Sequence, residues 1–215
     1  MEIDWGGLRR TTPISREFGF DRGTPVDRYY ISKFLDRNRS LIAGRVLEIG
    51  DDSYTLEFGS PAVTMRDILH VHEGNAKATI IGDLSSGNGI PSAAFDCAII
   101  TQTLHLIFDP LAALRTLHRI LKPGGVLLAT APGISPISID EWSSTWYWGF
   151  TYASMERMVE TVFGTDVRIE AYGNVFASTC FLQGIAVEEV TTAELDIDDG
   201  EHVTLLSVAA RKTSS

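Results

Sequence analysis

Cysteine is scarce in this sequence of 215 residues, which contains only Cys97 and Cys180. Two cysteines far apart in the chain do not make a disulfide framework, so we expect buried free thiols. Long apolar runs are absent as well, and none reaches the roughly 20 residues of a membrane-spanning helix. The opening segment MEIDWGGLRR lacks the layout of a signal peptide. We therefore expect a cytoplasmic protein without a membrane partner.

Positive charge is also limited, with 18 Lys and Arg against 28 Asp and Glu, a formal net charge of -10. This balance argues against nucleic acid as a partner. Residues 1–45 nevertheless carry nine basic and only six acidic residues. Either this segment packs on an acidic body, or one of its arginines binds an anionic group of a ligand. The candidates are Arg9, Arg10, Arg16, Arg22 and Arg28. Residues 188–201 contain seven acidic residues and no basic one, which is typical of a solvated connection.

No internal repeat, low-complexity segment or linker divides the chain. Its length suits a single domain with a full-sized core, and its 44% apolar and 21% charged residues are ordinary for a globular protein. We divide this domain, residues 1–215, into an N-terminal cap segment and helix at 1–44, a core at 45–132, and a substrate-side loop, helix and edge strands at 133–215.

The clearest structural pattern lies between Phe95 and Pro132, which reads FDCAIITQTLHLIFDPLAALRTLHRILKPGGVLLATAP. An apolar run at 94–100 predicts a buried strand. Asp109 and Pro110 then supply an N-cap and a first helical residue. Apolar residues at helical spacing follow, until a Lys-Pro-Gly-Gly turn leads into a second strand at 126–130. A strand, a crossover helix and a second apolar strand predict a parallel sheet covered on both faces.

Similar patterns predict the remaining elements. We expect further strands at 45–49, 62–65, 78–81, 167–172 and 203–209. We expect further helices at 26–43, 53–58 and 152–163. Residues 175–187 are apolar enough for a buried helix or a buried strand, and the pattern does not decide between them.

The central stretch resembles a known family. Its order of strand, Leu-His-Leu, Asp-Pro, Arg-x-Leu-Lys-Pro-Gly-Gly and strand is similar to strands four and five of class I S-adenosylmethionine-dependent methyltransferases, in particular the broad small-molecule subgroup. The resemblance is strongest over residues 45–132. It implies a Rossmann-like, doubly wound α/β fold with seven mostly parallel strands and an antiparallel edge hairpin. It also implies S-adenosylmethionine as the cofactor.

The turn after the first strand departs from the family pattern of an acid followed by several glycines. The sequence here is EIGDDSY, in which Glu48 and Gly50 match and the later glycines are missing. Glycines normally let the backbone approach the cofactor closely. The carboxylates of Asp51 and Asp52 could favour the cationic groups of this cofactor, or one of them could cap a helix at 53–58, and the two roles are compatible. Since the first two crossovers are short, we expect an open pocket.

The resemblance assigns cofactor-binding roles to residues at the predicted strand ends. Asp67, at the end of the second strand, would accept hydrogen bonds from the ribose hydroxyls. Asp83 and Leu84, after the third strand, would hold the adenine. Thr101 and Gln102, after the fourth, would lie near the methionine part and the reactive methyl group.

The N-terminal segment is expected to close over the cofactor, as it does in similar enzymes. Arg22 suits the cofactor carboxylate because a guanidinium can donate two parallel hydrogen bonds. Tyr30, on the helix that follows, is the second candidate. With these two residues, the predicted cofactor site comprises Arg22, Tyr30, Glu48, Gly50, Asp51, Asp67, Asp83, Leu84, Thr101 and Gln102.

His105, just after the fourth strand, is the best placed candidate for a catalytic general base. The alternative is a packed histidine whose ring is hydrogen-bonded to the backbone. His70, His72 and Glu73 have the composition of a metal site, but no further ligand cluster accompanies them, so we expect no metal.

Aromatic residues are dense after the fifth strand, where related enzymes place substrate-recognition loops. Trp142, Trp146, Tyr147 and Trp148 are predicted to wall an apolar, sugar-like or cationic acceptor. Two other interpretations stay open: a hydrophobic cluster beneath the loop, or a contact in a homodimer.

The sequence thus predicts methyl transfer from S-adenosylmethionine to an oxygen or nitrogen of a small molecule, such as a secondary-metabolite or saccharide-type acceptor. The altered turn motivates one alternative, an enzyme that keeps this scaffold but catalyses a cyclisation or rearrangement. A non-catalytic binding or partner subunit is the other.

Overall fold

The computed structural model describes residues 6–213, which form a seven-stranded sheet with helices on both faces. Residues 1–5, part of the opening segment considered above for a signal peptide, lie outside the described residues. The strands are β1 (Gly44–Ile49), β2 (Val63–His70), β3 (Ile80–Ile81), β4 (Phe95–Thr101), β5 (Leu121–Pro132), β6 (Val167–Tyr172) and β7 (Leu205–Arg211). Their order in the sheet is β3-β2-β1-β4-β5-β7-β6.

The α-helices are α1 (Val26–Arg37), α2 (Ser53–Phe58), α3 (Pro110–Ile120), α4 (Tyr152–Phe163), α5 (Val175–Gln183) and α6 (Thr192–Leu195). Local chemistry explains where several begin. Asp109 accepts a hydrogen bond from the Ala112 amide at the start of α3, and Thr151 with Ser154 forms a capping box at α4. The N-terminal segment, residues 6–25, contains only a short 3-10 helix, Gly6–Arg9.

Only β7 runs against the other strands, pairing antiparallel with both β5 and β6. The predicted Rossmann-like fold class with an antiparallel edge is therefore confirmed. The chain adds β2 and β3 on one side of β1 and then returns to add β4 on the other. This reversal of strand order opens a crevice between the loops that follow β1 and β4.

The sheet divides the core into two layers. Leu47, Ile100 and Leu117 belong to a layer that includes α3 and α4. Val46 and Phe34 belong to the other, which includes α1 and α5. Because neighbouring strand residues point to opposite faces, Val46 and Leu47 seal both layers from one strand. Both cysteines are free and buried, as predicted.

Most predicted elements are confirmed, and α5 decides the open question at 175–187 in favour of a helix. The predicted end of β2 is wrong, because β2 continues beyond residue 65 to His70 and stays paired with β1 through Leu69. The predicted end of α1 is also wrong: the helix stops at Arg37, where the Asn38 side chain donates to the Phe34 carbonyl. The Lys-Pro-Gly-Gly turn proves to be an irregular start of β5.

The acidic run at 188–201 is largely exposed, as predicted for a solvated connection, and it also holds the N-terminal part of the chain in place. Arg22 forms an ion pair with Glu189, and Thr24 donates to Glu188 from its amide (2.8 Å) and its hydroxyl (2.7 Å). Further along, Lys33 forms an ion pair with Asp196 (2.5 Å). The interpretation of a basic segment packed on an acidic body therefore describes these contacts. No helix among residues 6–213 is long and apolar enough to cross a membrane.

The start of β1 depends on a glycine at position 44, and this requirement can be tested. The φ of Gly44 is +68°, and an added Cβ would lie 2.5 Å from a carboxylate oxygen of Asp96. Gly44→Ala should therefore lower the free energy of unfolding by about 1–3 kcal/mol in urea titration. Gly7→Ala is the control, since its Cβ would meet nothing within 4 Å. Equal stability of the two variants would contradict this account.

Candidate active site

A crevice of about 1240 Å³ runs along the carboxyl ends of β1, β2, β3, β4 and β5. In open α/β sheets, ligands bind at this edge where the strand order reverses. The crevice has room for two small ligands side by side, since ligand pockets commonly measure about 300–1,000 Å³.

Glu48 organises the turn after β1. Its carboxylate accepts hydrogen bonds from the amides of Tyr54 (3.0 Å) and Thr55 (2.8 Å) and from the Thr55 hydroxyl (2.7 Å). Burial raises the pKa of Glu48 to about 7, although these three donors favour the ionised form. Glu48 therefore caps the first turn of α2, and this contact fixes the direction of the chain after Gly50.

The two carboxylates after Gly50 differ in position. Asp51 lines the crevice and accepts hydrogen bonds from the amide and hydroxyl of Ser53, whereas Asp52 forms an ion pair with Arg66 outside the crevice. Gly50 has a φ of +79°, and nothing lies within 4 Å of where its Cβ would be. The backbone at Gly50 is thus open to close approach by a ligand, even though the later glycines are missing.

Asp67 does not line the crevice, because it lies inside β2 and not at its carboxyl end. The prediction places the end of β2 too early. The Asp67 carboxylate accepts hydrogen bonds from Arg45 Nε (2.7 Å) and the Thr79 hydroxyl (3.1 Å) within the sheet. The side chain at the carboxyl end of β2 is His70, which lines the crevice and packs edge-on against Trp142. Sequence reasoning missed His70, although the apolar pair before it indicated that the strand continues.

Asp83 and Leu84 line the crevice after β3, as predicted. Asp83 accepts hydrogen bonds from the Ser85 amide (2.8 Å) and hydroxyl (2.7 Å), which keeps its carboxylate in one orientation.

Arg22 and Tyr30 lie away from the crevice lining. Arg22 forms an ion pair with Glu189, and the buried Tyr30 hydroxyl donates to the Leu195 carbonyl (2.9 Å). Two other arginines of the basic segment, Arg16 and Arg28, line the crevice instead. Arg28 lies in the first turn of α1, the helix that begins directly after Pro25. This position was the signal in the sequence that could have identified Arg28 as a crevice residue.

Thr101 and Gln102 line the crevice after β4, as predicted. Gln102 has a φ of +45°, a conformation that costs a residue with a side chain free energy and that concentrates at functional sites. Its Nε2 donates to Asp27 Oδ2 (2.9 Å), which also pairs with Arg28 (2.9 Å). This contact leaves Gln102 Oε1 buried and without a hydrogen-bond partner among the described residues.

His105 lines the crevice and is only 2% exposed, yet neither ring nitrogen has a hydrogen-bond partner among the described residues. The backbone-bonded histidine considered above is therefore not what the structure contains. The ring packs edge-on against Trp146, with centroids 4.5 Å apart. Burial, and then the positive charge of Arg28, lowers the pKa of His105 to about 4, so its imidazole is neutral at pH 7.

The aromatic loop at 133–149 crosses the crevice from β5 to β2. Trp146 packs on His105, whereas Trp142 packs on the rings of His70 and His72. Trp142, Trp146 and Tyr147 line the crevice, as expected of a substrate wall. Trp148 does not line it, and its Nε1 donates to the Ile107 carbonyl (3.0 Å).

The N-terminal segment packs against this aromatic loop, and the two together form a roof over the crevice. Phe18 stacks on Trp146 with ring planes 15° apart and centroids at 6.0 Å. Within residues 6–213, no three potential metal ligands lie close enough together to hold an ion. The charged residues that line the crevice are Arg16, Glu17, Asp27, Arg28, Glu48, Asp51, Asp83, Asp109 and Asp140. Acidic side chains therefore predominate.

Comparison with known proteins agrees with this geometry. Residues 48–129 match the family model described as a methyltransferase domain. The match spans the end of β1 to most of β5 and supports, over that part of the chain, the resemblance to class I methyltransferases. No curated protein matches the sequence, so the comparison offers no relative of defined substrate.

Solved structures with a similar fold are distant in sequence. An S-adenosylmethionine-dependent methyltransferase from Archaeoglobus fulgidus is 14% identical, with a TM-score of 0.56 over 86% of this chain and 94% of that one. A possible histamine N-methyltransferase from Thermotoga maritima is 17% identical, with a TM-score of 0.58 over 93% and 99%. The (4+2) cyclase SpnF is 17% identical, with a TM-score of 0.57 over 90% and 84%. This methyltransferase fold thus also occurs in an enzyme named for a cyclisation.

The state of His105 can be tested through the pH dependence of stability. Because its folded pKa is about 4 and its ordinary value is 6.5, the unfolded chain binds more protons between these values. The stabilisation is therefore complete above about pH 6.5 and is lost as the pH falls towards 4. Between about pH 7 and pH 4, the wild type should lose roughly 3 kcal/mol more unfolding free energy than His105→Phe.

Urea titration at several pH values measures this difference. Glu48 acts in the opposite direction between its ordinary pKa of 4.5 and about 7, but it is common to both proteins and cancels in the comparison. Identical pH profiles for the wild type and His105→Phe would contradict a buried neutral imidazole.

Proposed function

We propose that this protein transfers a methyl group from S-adenosylmethionine to an oxygen or nitrogen of a small molecule bound in the crevice. The observation that carries the proposal is the crevice itself, which joins the ends of β1 and β4 at the reversal of strand order and is lined by acidic residues. The match to a methyltransferase domain gives independent support.

The lining residues suit this cofactor, although the family pattern is altered. Gly50 leaves its backbone open, and Asp51 and Asp83 place carboxylates near the ends of β1 and β3. S-adenosylmethionine carries two positive groups and one negative group, so an acidic crevice favours it. Asp51, Asp83, Leu84 and Gln102 are the residues that we assign to holding it. When bound, it supplies a methyl group on a positively charged sulfur.

The protein contributes position and a proton acceptor. His105 is neutral at pH 7, so one of its ring nitrogens is free to accept a proton from the acceptor hydroxyl or amine. Trp146 packs against His105, which is only 2% exposed, and Phe18 stacks on Trp146 from the other segment. Holding two reactants together in one crevice is itself a large part of catalysis of a displacement reaction.

A second candidate is a cyclisation or rearrangement on the same scaffold. The turn after Gly50 favours it, because side chains replace the glycines on which methyl transfer usually relies. Mass spectrometry of the product distinguishes the two. A product that has gained one methyl group in place of a hydrogen supports methyl transfer, whereas an isomer of the substrate supports the alternative.

Calorimetric titration with S-adenosylmethionine tests cofactor binding. We expect saturable binding that weakens several-fold as sodium chloride rises from about 0.05 to about 0.5 M, because salt screens the attraction between a cation and the acidic crevice. The demethylated product carries no net charge and should show a smaller salt effect. If neither S-adenosylmethionine nor its demethylated product binds, the proposed function is overturned.

The different positions of Asp51, Asp83 and Asp67 give a second test of cofactor binding. Asp83→Asn and Asp51→Asn should each weaken S-adenosylmethionine about 5- to 20-fold, as expected for loss of a charge-assisted contact. Asp67→Asn is the matched control. It should lower the free energy of unfolding by about 1–3 kcal/mol, because it disrupts the contact with Arg45, and leave affinity within about twofold. A larger affinity loss for folded Asp67→Asn than for Asp83→Asn would contradict this assignment.

A further inference from the structure

We propose that the acceptor is a molecule with an apolar, aromatic-sized body that presents a hydroxyl or N–H donor to His105, rather than a saccharide or a permanent cation. This inference rests on the proposed function and names the substrate class of the same crevice.

The mouth of the crevice carries apolar side chains that are largely exposed, although the Arg28 guanidinium lies 5.6 Å from the ring centroid of one of them, Phe20. Phe108 is 72% exposed, Ile139 is 76% exposed and Phe20 is 56% exposed, and all three line the crevice. Phe108 and Tyr147 pack edge-on with ring centroids 5.4 Å apart, so the exposed groups partly join into one surface. Exposed apolar surface that collects at a cleft marks a binding site for an apolar partner.

The apolar surface continues inward from the mouth. Phe18 lies between the rings of Trp146 and Phe181, with centroids 6.0 Å from each, and all three residues line the crevice. Flat rings arranged in this way offer large contact area to another flat ring. A body that extends from the mouth to His105 therefore meets mainly carbon.

The inner end of this path is polar and unsatisfied. His105 is buried with no partner on either nitrogen, and Gln102 Oε1 is a second buried acceptor without a partner. Leaving a buried polar group unpaired costs about 1–3 kcal/mol. A hydroxyl or N–H on the ligand would satisfy one of these acceptors, whereas a purely apolar ligand would leave both unpaired.

The charged groups nearby argue against the other acceptor classes. Arg28, which lowers the pKa of His105, pairs with Asp27 (2.9 Å), so this carboxylate is not an unpaired partner for a permanent cation beside His105. Asp109 already caps α3, and Asp140 accepts from the Trp142 amide (2.9 Å). A saccharide needs polar partners along its length, and Phe20, Phe108 and Ile139 provide none.

Three small probes test the inference by direct binding. 2-Naphthol has the flat body and the hydroxyl, phenol has a smaller body, and 2-methoxynaphthalene lacks the donor hydrogen. Quenching of tryptophan fluorescence, checked by calorimetry, gives the three dissociation constants. We expect 2-naphthol to bind about tenfold tighter than phenol, from the extra apolar area, and at least about fivefold tighter than 2-methoxynaphthalene, from the hydrogen bond.

Variants identify the contacts. Phe108→Ser and Ile139→Ser change exposed side chains and should each weaken 2-naphthol about threefold or more. Phe176→Ser, at an exposed position of α5 outside the crevice lining, is the control and should have no effect. His105→Phe should reduce the preference for 2-naphthol over 2-methoxynaphthalene, because one of the two acceptors is gone and only Gln102 Oε1 remains.

Equal binding of phenol and 2-naphthol, or no effect of Phe108→Ser and Ile139→Ser, would overturn the inference. Tighter binding of methyl glucoside or of tetramethylammonium than of 2-naphthol would overturn it in favour of the other two classes. If S-adenosylmethionine binds while these probes fail, only the inference on the acceptor is lost. If the probes behave as expected while S-adenosylmethionine fails to bind, the proposed function is lost instead.

Discussion

The hydrogen bonds between the buried Glu48 carboxylate and the first turn of α2 are the contact on which the crevice depends. A buried carboxylate is costly unless its oxygens are satisfied, and here two amides and the Thr55 hydroxyl satisfy them. This contact turns the chain into a helix directly after β1. It therefore replaces the long glycine loop of the family with a short turn in which Asp51 faces the crevice and Asp52 faces away.

The roof of the crevice is held from two sides. On one side, ion pairs and hydrogen bonds with residues 188–201 fix the chain between Arg22 and Lys33 and so position Arg28, while Phe18 packs between Trp146 and Phe181. On the other, the loop after β5 reaches across to β2, where Trp142 meets His70. The acidic run thus serves the site indirectly, because it anchors the segment that contributes to the roof.

Local patterns in the sequence were sufficient for the existence and type of most elements. The Asp109-Pro110 start of α3 depends on residues that are near each other in sequence, and the apolar runs on either side of it mark two strands. The capping of α4 is equally local. These features predict a parallel sheet, and the order of its strands follows from the family resemblance.

The site depends on contacts that local patterns do not contain. The role of Asp67 follows from where β2 ends, and that end is set by pairing with β1 rather than by the residues of β2 alone. Similarly, Arg22 and Arg28 are both arginines of the basic N-terminal segment, and local sequence does not distinguish them. Arg22 is the one that pairs with Glu189, which is distant in sequence, and it therefore holds the N-terminal segment in place. His105 was identified by its place after β4, whereas its lack of partners required the packing of Trp146 to be known.

A crystal structure of the protein grown with S-adenosylmethionine or its demethylated product tests the central claim most directly. The account predicts density for the nucleoside at the carboxyl ends of β1 and β4, in contact with Asp51 or Asp83, while Asp67 keeps its ion pair with Arg45. An empty crevice at saturating cofactor concentration, or density at any other place on the sheet, would contradict it.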